Sequence, residues 1–306
     1  MGKTLIFISD KKRMFFPYIK DENIDIEEVW VDANRDRYSL LVRILRKLRI
    51  PTARYFGDWT AKISTYDKVI IFDGCYDKML QTYLDKVIPN TPKYVFCWNA
   101  DYRLTHVKDS AHYPIYSYSP RDCEKNGYKY MSTVYSKDVP FPKREIKYDV
   151  VFLGLLKDRG NMLAKLYSEL VSAGLRPMFY VVDKEGRSEY NGMPLQHEQL
   201  EYSKYLELIS ESKAILDICN PGQDGLTQRM MEGLFARKQV ITTNPDVDKY
   251  DFYNERNVLV ISEQISVDVM RIVDFIQKDY MEVANEVCGH YDISTWCERF
   301  TKEMKT

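Results

Sequence analysis

The sequence predicts an α/β protein made of two doubly wound, Rossmann-like domains facing across a cleft. Three observations carry this. Short apolar runs recur and end in turn residues, amphipathic helical segments separate them, and the alternation breaks once near residue 145 before restarting. A chain of 306 residues suits two domains of ordinary size.

In the first half, Thr4-Leu5-Ile6-Phe7-Ile8-Ser9 is a buried-type strand, and Asp10-Lys11-Lys12 opens the loop after it. Ile26 to Val31 predicts a second strand. Ser39 to Leu48 predicts a helix, with Leu40, Leu41, Ile44, Leu45 and Leu48 on one face and Arg43, Arg46, Lys47 and Arg49 flanking it. Such a helix either packs on a sheet with its charges solvated or lies on an anionic membrane surface, where each basic residue contributes ~1 kcal/mol. The sequence leaves both roles open for Ser39–Arg49.

Asp67 to Phe72 is the strongest strand of this half and ends at Asp73-Gly74. A helix over Met79 to Val87 stops before Pro89 and Pro92. The strand Lys93 to Trp98 delivers Trp98, Asn99 and Asp101 to its carboxyl end, where doubly wound sheets bind ligands. Asp101 is a candidate general base and Trp98 a candidate ligand-stacking ring. The competing roles are a loop-capping carboxylate and a core aromatic. Ile115 to Ser119 predicts another strand, and a brief helix from Arg121 ends at Asn126-Gly127.

Val139-Pro140-Phe141-Pro142-Lys143-Arg144-Glu145-Ile146-Lys147 has two prolines and a charge run without periodicity, so it reads as a linker between domains at 1–144 and 145–306. The strand from Tyr148 runs into Gly154-Leu155-Leu156-Lys157-Asp158-Arg159-Gly160. A helix through Leu163, Leu166, Leu170 and Val171 and a strand over Pro177 to Val182 complete a βαβ unit. The G-x-G-x-x-G dinucleotide fingerprint is absent, which argues against a dehydrogenase. Asp183 to His197 reads as a polar loop beside a nucleobase, Tyr202 to Ile209 as a helix, Val258 to Ile261 as the last strand, Val267 to Ile276 as a helix, and the tail from Met281 as further helices.

The organising stretch is Ala214 to Asn244. Ile215 to Ile218 is a strand, Asn220-Pro221-Gly222 a turn, Met230, Met231, Leu234 and Phe235 one face of a helix capped by Thr227, and Val240 to Thr243 a second strand. A glycine-containing loop with Gly222 and Gly225 before a helix offers backbone N–H groups and a positive dipole end to an anion such as phosphate. Arg229 in the first turn opposes that dipole, and a bound phosphate would reverse the sign. Lys157 and Arg159 supply further cations from a separate loop, Arg as a bidentate partner and Lys as a point charge. Solvated side chains are the competing account for all three cations, as for the helical carboxylate Glu232.

Composition excludes several classes. With 44 Lys and Arg against 45 Asp and Glu, nothing global predicts nucleic acid as a partner. The six Cys form no C-x-x-C pair and the four His are isolated, so neither a disulfide framework nor a zinc site is expected. No D-x-D stretch follows a strand, and no metal is expected. The apolar run at the N-terminus is too short for a signal peptide or a spanning helix, and Ile6 stands where a myristoylation signal needs Ser or Thr. The expected location is therefore cytoplasmic, with peripheral contact at the inner face of the cell membrane open through Ser39–Arg49.

Asp224-Gly225-Leu226-Thr227 followed by Glu232-Gly233 resembles the donor-site motif of GT-B glycosyltransferases, an acidic residue, seven others, then Glu. The resemblance implies that Glu232 meets the ribose hydroxyls of a nucleotide sugar and that Asp224 lies near the sugar. It implies that the loop at Gly222, Gly225, Leu226 and Thr227 holds the diphosphate. That family usually has Glu where Asp224 stands. Gly154 followed by Lys157 and Arg159 is similar to the first strand–loop of GT-B donor domains, where such cations neutralise the departing diphosphate. The wider run Asp217-Ile218, Pro221, Gln223, Gly225-Leu226-Thr227, Arg229, Glu232 and Ile241-Thr242-Thr243-Asn244, with Trp98-Asn99 in the first half, resembles bacterial proteins of lipopolysaccharide, capsule or exopolysaccharide synthesis.

The implied activity is a metal-independent, hexosyltransferase-like transfer from a nucleotide diphosphate sugar to a hydroxyl of a surface glycan intermediate. Asp101, Asp224 and Arg229 would be its catalytic residues. The implied partners are a nucleotide sugar and a glycan or lipid-linked saccharide acceptor, with no other cofactor. The rivals are another Rossmann-type nucleotide-sugar enzyme and a non-catalytic nucleotide- or glycan-binding relative. The last helices are expected to return to the first domain, as they often do in this family.

Overall fold

A computed structural model describes residues 2–30, 44, 48, 56–99, 112–219, 222–262 and 265–300. The chain divides into Met1–Ser132 with Trp296–Thr306, and Thr133–Thr295. The predicted basic helix, apart from Ile44 and Leu48, and Asp101 lie outside the described residues.

The first unit holds β1 (Thr4–Phe7), β2 (Ile24–Glu27), β3 (Lys68–Phe72), β4 (Lys93–Cys97), β5 (Ile115–Ser117) and β6 (Lys129–Tyr130), all parallel in the order β2-β1-β3-β4-β5-β6. Helix α1 (Lys78–Val87) is capped by Asp77, whose carboxylate accepts from the Met79 and Leu80 N–H groups. Helix α2 (Pro120–Asn126) starts on Ser119 and stops at Gly127, whose φ of 70° is the left-handed conformation that favours glycine. Strand β2 falls earlier than the predicted Ile26–Val31. Ile24 is its one buried residue, while the Val29 side chain enters the core beyond the strand and Trp30 bridges to Phe56. Beyond β2 the chain pairs instead with the segment at Phe56, through this antiparallel bridge and a bond from the Gly57 N–H to the Val29 carbonyl, and Val31 lies outside the described residues.

The second unit repeats the same winding. Strands β7 (Tyr148–Leu155), β8 (Pro177–Val182), β11 (Ser212–Asp217), β12 (Gln239–Thr242) and β13 (Val258–Val260) run parallel in the order β13-β12-β11-β7-β8. Both sheets therefore follow a 2-1-3-4-5 order, whose switch point lies between the first and third strands. In the second unit those strands are β7 and β11. Their side chains alternate between two cores. Val150 and Phe152 join Leu163, Leu166 and Leu170 on one face, and Val151 and Leu153 join Leu208 and Ile209 on the other. Burial on both faces explains why β7 is an unbroken apolar run. Each such side chain contributes roughly 1.5–3 kcal/mol.

Four further helices complete this unit, α3 (Gly160–Ser172), α4 (Tyr202–Ser210), α5 (Gln228–Ala236) and α6 (Ile265–Phe275), followed by α7 (Asn285–Tyr291). The segment expected as a polar loop holds a hairpin, β9 (Glu189–Tyr190) and β10 (Met193–Pro194). Its turn is Asn191-Gly192, with φ of 50° and 77°, the strongest short hairpin signal a sequence carries. Met193 and Leu195 then enter the core.

A last helix, α8 (Ile293–Glu298), leads the tail into the first unit. Trp296 is fully buried there, 4.8 Å from the Phe96 ring and 4.6 Å from that of Phe300, and its indole N–H donates to the Ser132 carbonyl. Lys68 Nζ donates to the carbonyl of Cys297 at 2.7 Å. Among the described residues, no helix is long and apolar enough to cross a membrane.

Candidate functional site

The switch point of the second unit concentrates charge. Strand β7 reaches it at Gly154 and β11 at Asp217, and α5 begins after the loop that follows β11. Asp217 is 1% exposed, a carboxylate closing an apolar strand, so it requires partners. Arg229 Nη1 donates to its Oδ1 at 3.2 Å and Thr242 Oγ1 to its Oδ2 at 3.1 Å. Arg229 Nε donates to the Leu153 carbonyl at 3.2 Å, which fixes the guanidinium against the end of β7. Its Nη2 has no hydrogen-bond partner among the described residues.

Arg159 reaches the same place from the turn after β7. Its Nη1 donates to the Ile218 carbonyl at 2.6 Å, and Nε and Nη2 donate to the Leu155 carbonyl. This arginine is buried and largely committed to backbone, tying the end of β7 to the start of the loop after β11. Burial first, and the Arg229 charge second, lower its pKa to about 9. For Arg229 burial acts in the same downward sense, but Asp217, Tyr205 and Glu232 outweigh it and hold the pKa above the usual value. Both cations stay protonated at neutral pH, and their mutual repulsion favours an anion between them.

Gly154 makes this convergence sterically feasible. A Cβ at that position would lie 2.8 Å from Arg229 Nη2 and 3.3 Å from Arg159 Nη2. The residue expected to admit phosphate thus admits two guanidiniums. Lys157, expected beside them, is exposed in a one-turn 3-10 helix with a φ of 46°.

The loop into α5 begins with Gly222, at a φ of 81°, and runs through half-buried Asp224 to buried Gly225 and Leu226. The Leu226 carbonyl accepts from Thr133 Oγ1 at 2.5 Å. Thr227 caps α5, its hydroxyl accepting from the Met230 N–H. Gln228 Nε2 donates to the Val134 carbonyl.

One turn into α5, Glu232 is 1% exposed. Tyr202 donates to its Oε1 at 3.2 Å and Tyr205 to its Oε2 at 2.5 Å. Burial pushes its pKa up to about 7, against the opposing Tyr205 hydrogen bond, the Arg229 charge and the Tyr202 hydrogen bond. The two tyrosine rings stack at 5.4 Å, and the Tyr202 hydroxyl meets that of Tyr135 at 2.6 Å. Sequence reasoning placed Tyr202 and Tyr205 in a helix and missed this role, although their three-residue spacing places both on one side of α4. It also missed Asp217, whose signal was a carboxylate inside an apolar strand. Cys219 completes the surroundings. Burial and the Asp217 charge raise its thiol to about 12, so it stays protonated.

The first unit has its own strand-end cluster. Asp73, 3% exposed, follows β3 and accepts from the Trp98 backbone N–H at 3.0 Å and from Asn99 Nδ2 at 2.7 Å. The Trp98 ring is half-buried among aromatics, 5.2 Å from Phe72 and 6.1 Å from Phe16. Among the described residues no group of three His, Cys, Asp or Glu is placed to hold a metal.

No family model and no curated protein matches the chain. Solved structures do. The chain is similar to a sucrose-phosphate synthase from Thermosynechococcus elongatus, with a TM-score of 0.55 and 9% identity over 97% of this chain and 96% of that one. It is also similar to an alpha-glucosyltransferase solved with UDP and a mismatched 13-mer DNA, with a TM-score of 0.54 and 11% identity over 97% and 98%. A third likeness is to the UDP-GlcNAc 2-epimerase of Methanocaldococcus jannaschii solved with UDP-GlcNAc and UDP, with a TM-score of 0.50 and 11% identity over 95% and 98%. At such identities the likeness is one of fold. The chain has the GT-B fold, two parallel-sheet Rossmann-like α/β domains.

Proposed function

We propose that this protein is a glycosyltransferase that moves a sugar from a nucleotide diphosphate sugar to a hydroxyl of a bacterial surface glycan intermediate, of the lipopolysaccharide, capsule or exopolysaccharide kind. The observation that carries this reading is the position of Arg229. Its guanidinium is anchored by Asp217 and the Leu153 carbonyl at the switch point, where this sheet order binds ligands, and its Nη2 lies beside Gly154. A diphosphate there meets Arg229, the start of α5 and the loop through Gly222 and Gly225. These groups stabilise charge as it develops on the departing nucleotide, so the reading requires no metal. Arg159 acts from behind by holding Leu155 and Ile218, and exposed Lys157 adds long-range attraction. Glu232 is assigned to ribose, Asp224 to the donor sugar, and Trp98, Asn99 and Asp101 to the acceptor. No partner nucleic acid enters this reading, and contact with a membrane surface is assigned to Ser39–Arg49.

The likeness to a nucleotide-sugar epimerase favours one second reading, isomerisation of the sugar while it remains on the nucleotide. Both readings use the same diphosphate site. The first test is a thermal-shift screen with UDP, GDP, ADP, CMP and NAD on wild type and Arg229→Gln. One nucleoside diphosphate is expected to stabilise the wild type, by about 2.7 kcal/mol at a hundred times its Kd, and not the variant. A response to NAD alone sinks the proposal. Product analysis with the matching nucleotide sugar then separates the readings, since transfer releases the nucleoside diphosphate and isomerisation retains it.

A further inference from the structure

The tyrosine pair over Glu232 has no place in the function above. Each carboxylate oxygen of Glu232 already receives one hydroxyl proton, Oε1 from Tyr202 and Oε2 from Tyr205. A hydroxyl has one hydrogen to give, so Tyr135 must donate to Tyr202, and the chain of bonds runs Tyr135 to Tyr202 to Glu232 from one side and Tyr205 to Glu232 from the other. Two hydroxyls on the two oxygens of one carboxylate is also the pattern made by a vicinal diol. Glu232 is 1% exposed, whereas the tyrosines that cover it are half-buried and stand between its carboxylate and solvent.

We propose that Tyr202 and Tyr205 are specificity-determining residues that occupy Glu232 in place of the two ribose hydroxyls and must be displaced by them. This rests on the nucleotide-sugar reading of the site. Displacement of two donors needs two donors. A ligand with the full 2′,3′-diol replaces both tyrosine bonds, whereas a 2′-deoxy ligand leaves one buried oxygen bare or one tyrosine in its way. The pair therefore selects ribonucleoside diphosphates over deoxyribonucleoside diphosphates and lowers the affinity of the protein for any nucleotide that has not brought the diol into place. Arg229 on the same helix and Asp217 on β11 are the charged groups that also act on this carboxylate, and Tyr135 reaches it through Tyr202.

Calorimetric titration tests this with UDP, GDP, ADP and CDP, each beside its 2′-deoxy form, on wild type, Tyr205→Phe and Tyr202→Phe. A pH of about 8.5 lies above the value of about 7 to which burial raises Glu232 in the wild type. Phenylalanine keeps the stacked rings, and two separate variants guard against one that fails to fold. The expected result is a wild type that prefers the ribonucleotide, and a Phe variant that binds it about tenfold more tightly while the 2′-deoxy form gains less. Unchanged or weakened ribonucleotide binding in both variants overturns the displacement and leaves the nucleotide reading standing. Binding of no nucleotide to any of the three proteins overturns the nucleotide reading itself, and the inference with it.

Discussion

Arg159 and Arg229 both set their guanidiniums over the ring of Phe152, at 4.9 and 5.0 Å from its centroid. A buried and a half-buried cation this close repel each other, and the ring face and the Asp217 carboxylate are what offset the repulsion. The geometry exists because Gly154, one residue before the end of β7, has no side chain. From this pair follow the first two predictions.

Gly154→Ala is expected to fold but to lose nucleoside diphosphate binding. The added Cβ would displace Arg229 Nη2, at 2.8 Å, before it touched any backbone, and a guanidinium is the far end of a flexible chain. The stability loss should therefore be modest, about 1 kcal/mol. Melting curves of wild type and variant, with and without UDP, check both halves. A variant that melts normally and still responds fully to UDP would show that the guanidinium position does not matter.

Asp217→Asn is expected to be far more damaging. The substitution keeps the shape but leaves the Arg229 charge without its counter-ion in a buried setting, and Thr242 loses a charged acceptor. Breaking a buried pair from one side costs about 3 kcal/mol or more. Urea unfolding measures it. The double variant Asp217→Asn with Arg229→Met should recover part of the loss, because the orphaned cation goes too.

How much of this could be read in the chain varies with the physics involved. Buried parallel strands announce themselves because both faces are apolar, and β7, β11 and β12 all stand within three residues of where periodicity puts them. In the organising βαβ unit the two strands, the Thr227 cap and the helix were legible, since cap and helix face are local signals, while Asn220 and Pro221 of the predicted turn lie outside the described residues. The hairpin at Asn191-Gly192 was overlooked although its turn residues were present. The partners of Glu232 could not be read the same way. Tyr202 and Tyr205 are local to α4, and nothing local says that their hydroxyls meet a carboxylate on α5. Phe152 likewise looks like ordinary core until two arginines are found above it.

Gly233 illustrates a position whose meaning is packing. It follows Glu232 in the motif, and a Cβ there would run into Val240 Cγ2 on β12. Helix α5 lies this close to the sheet only because that atom is missing. Gly233→Ala is expected to destabilise by about 1–3 kcal/mol through overpacking, despite the better helix propensity of alanine. Equilibrium urea unfolding checks it, and adding Val240→Ala should return part of the loss by opening space opposite the new methyl group. An alanine variant as stable as wild type would mean that the helix can shift outward freely.

Glu232 gives the protein a pH dependence of stability whose sign is fixed by burial. Its ordinary value is 4.5, and the folded state raises it to about 7. The folded protein thus holds this proton more tightly than the unfolded chain does. The resulting stabilisation is fully present below about 4.5 and is lost as the pH rises through about 7, an effect on the order of 3 kcal/mol at ~1.36 kcal/mol per pKa unit. Other carboxylates oppose it, and Asp183, held low first by its hydrogen bond from Arg187, loses its contribution in acid. The observable is therefore a difference, wild type against Glu232→Gln, followed by urea unfolding from pH 4.5 to 8. The wild type should lose stability relative to the variant across that window and level off above it. A flat difference curve would mean that Tyr202 and Tyr205 hold the carboxylate ionised throughout, and that its hydrogen bonds outweigh its burial.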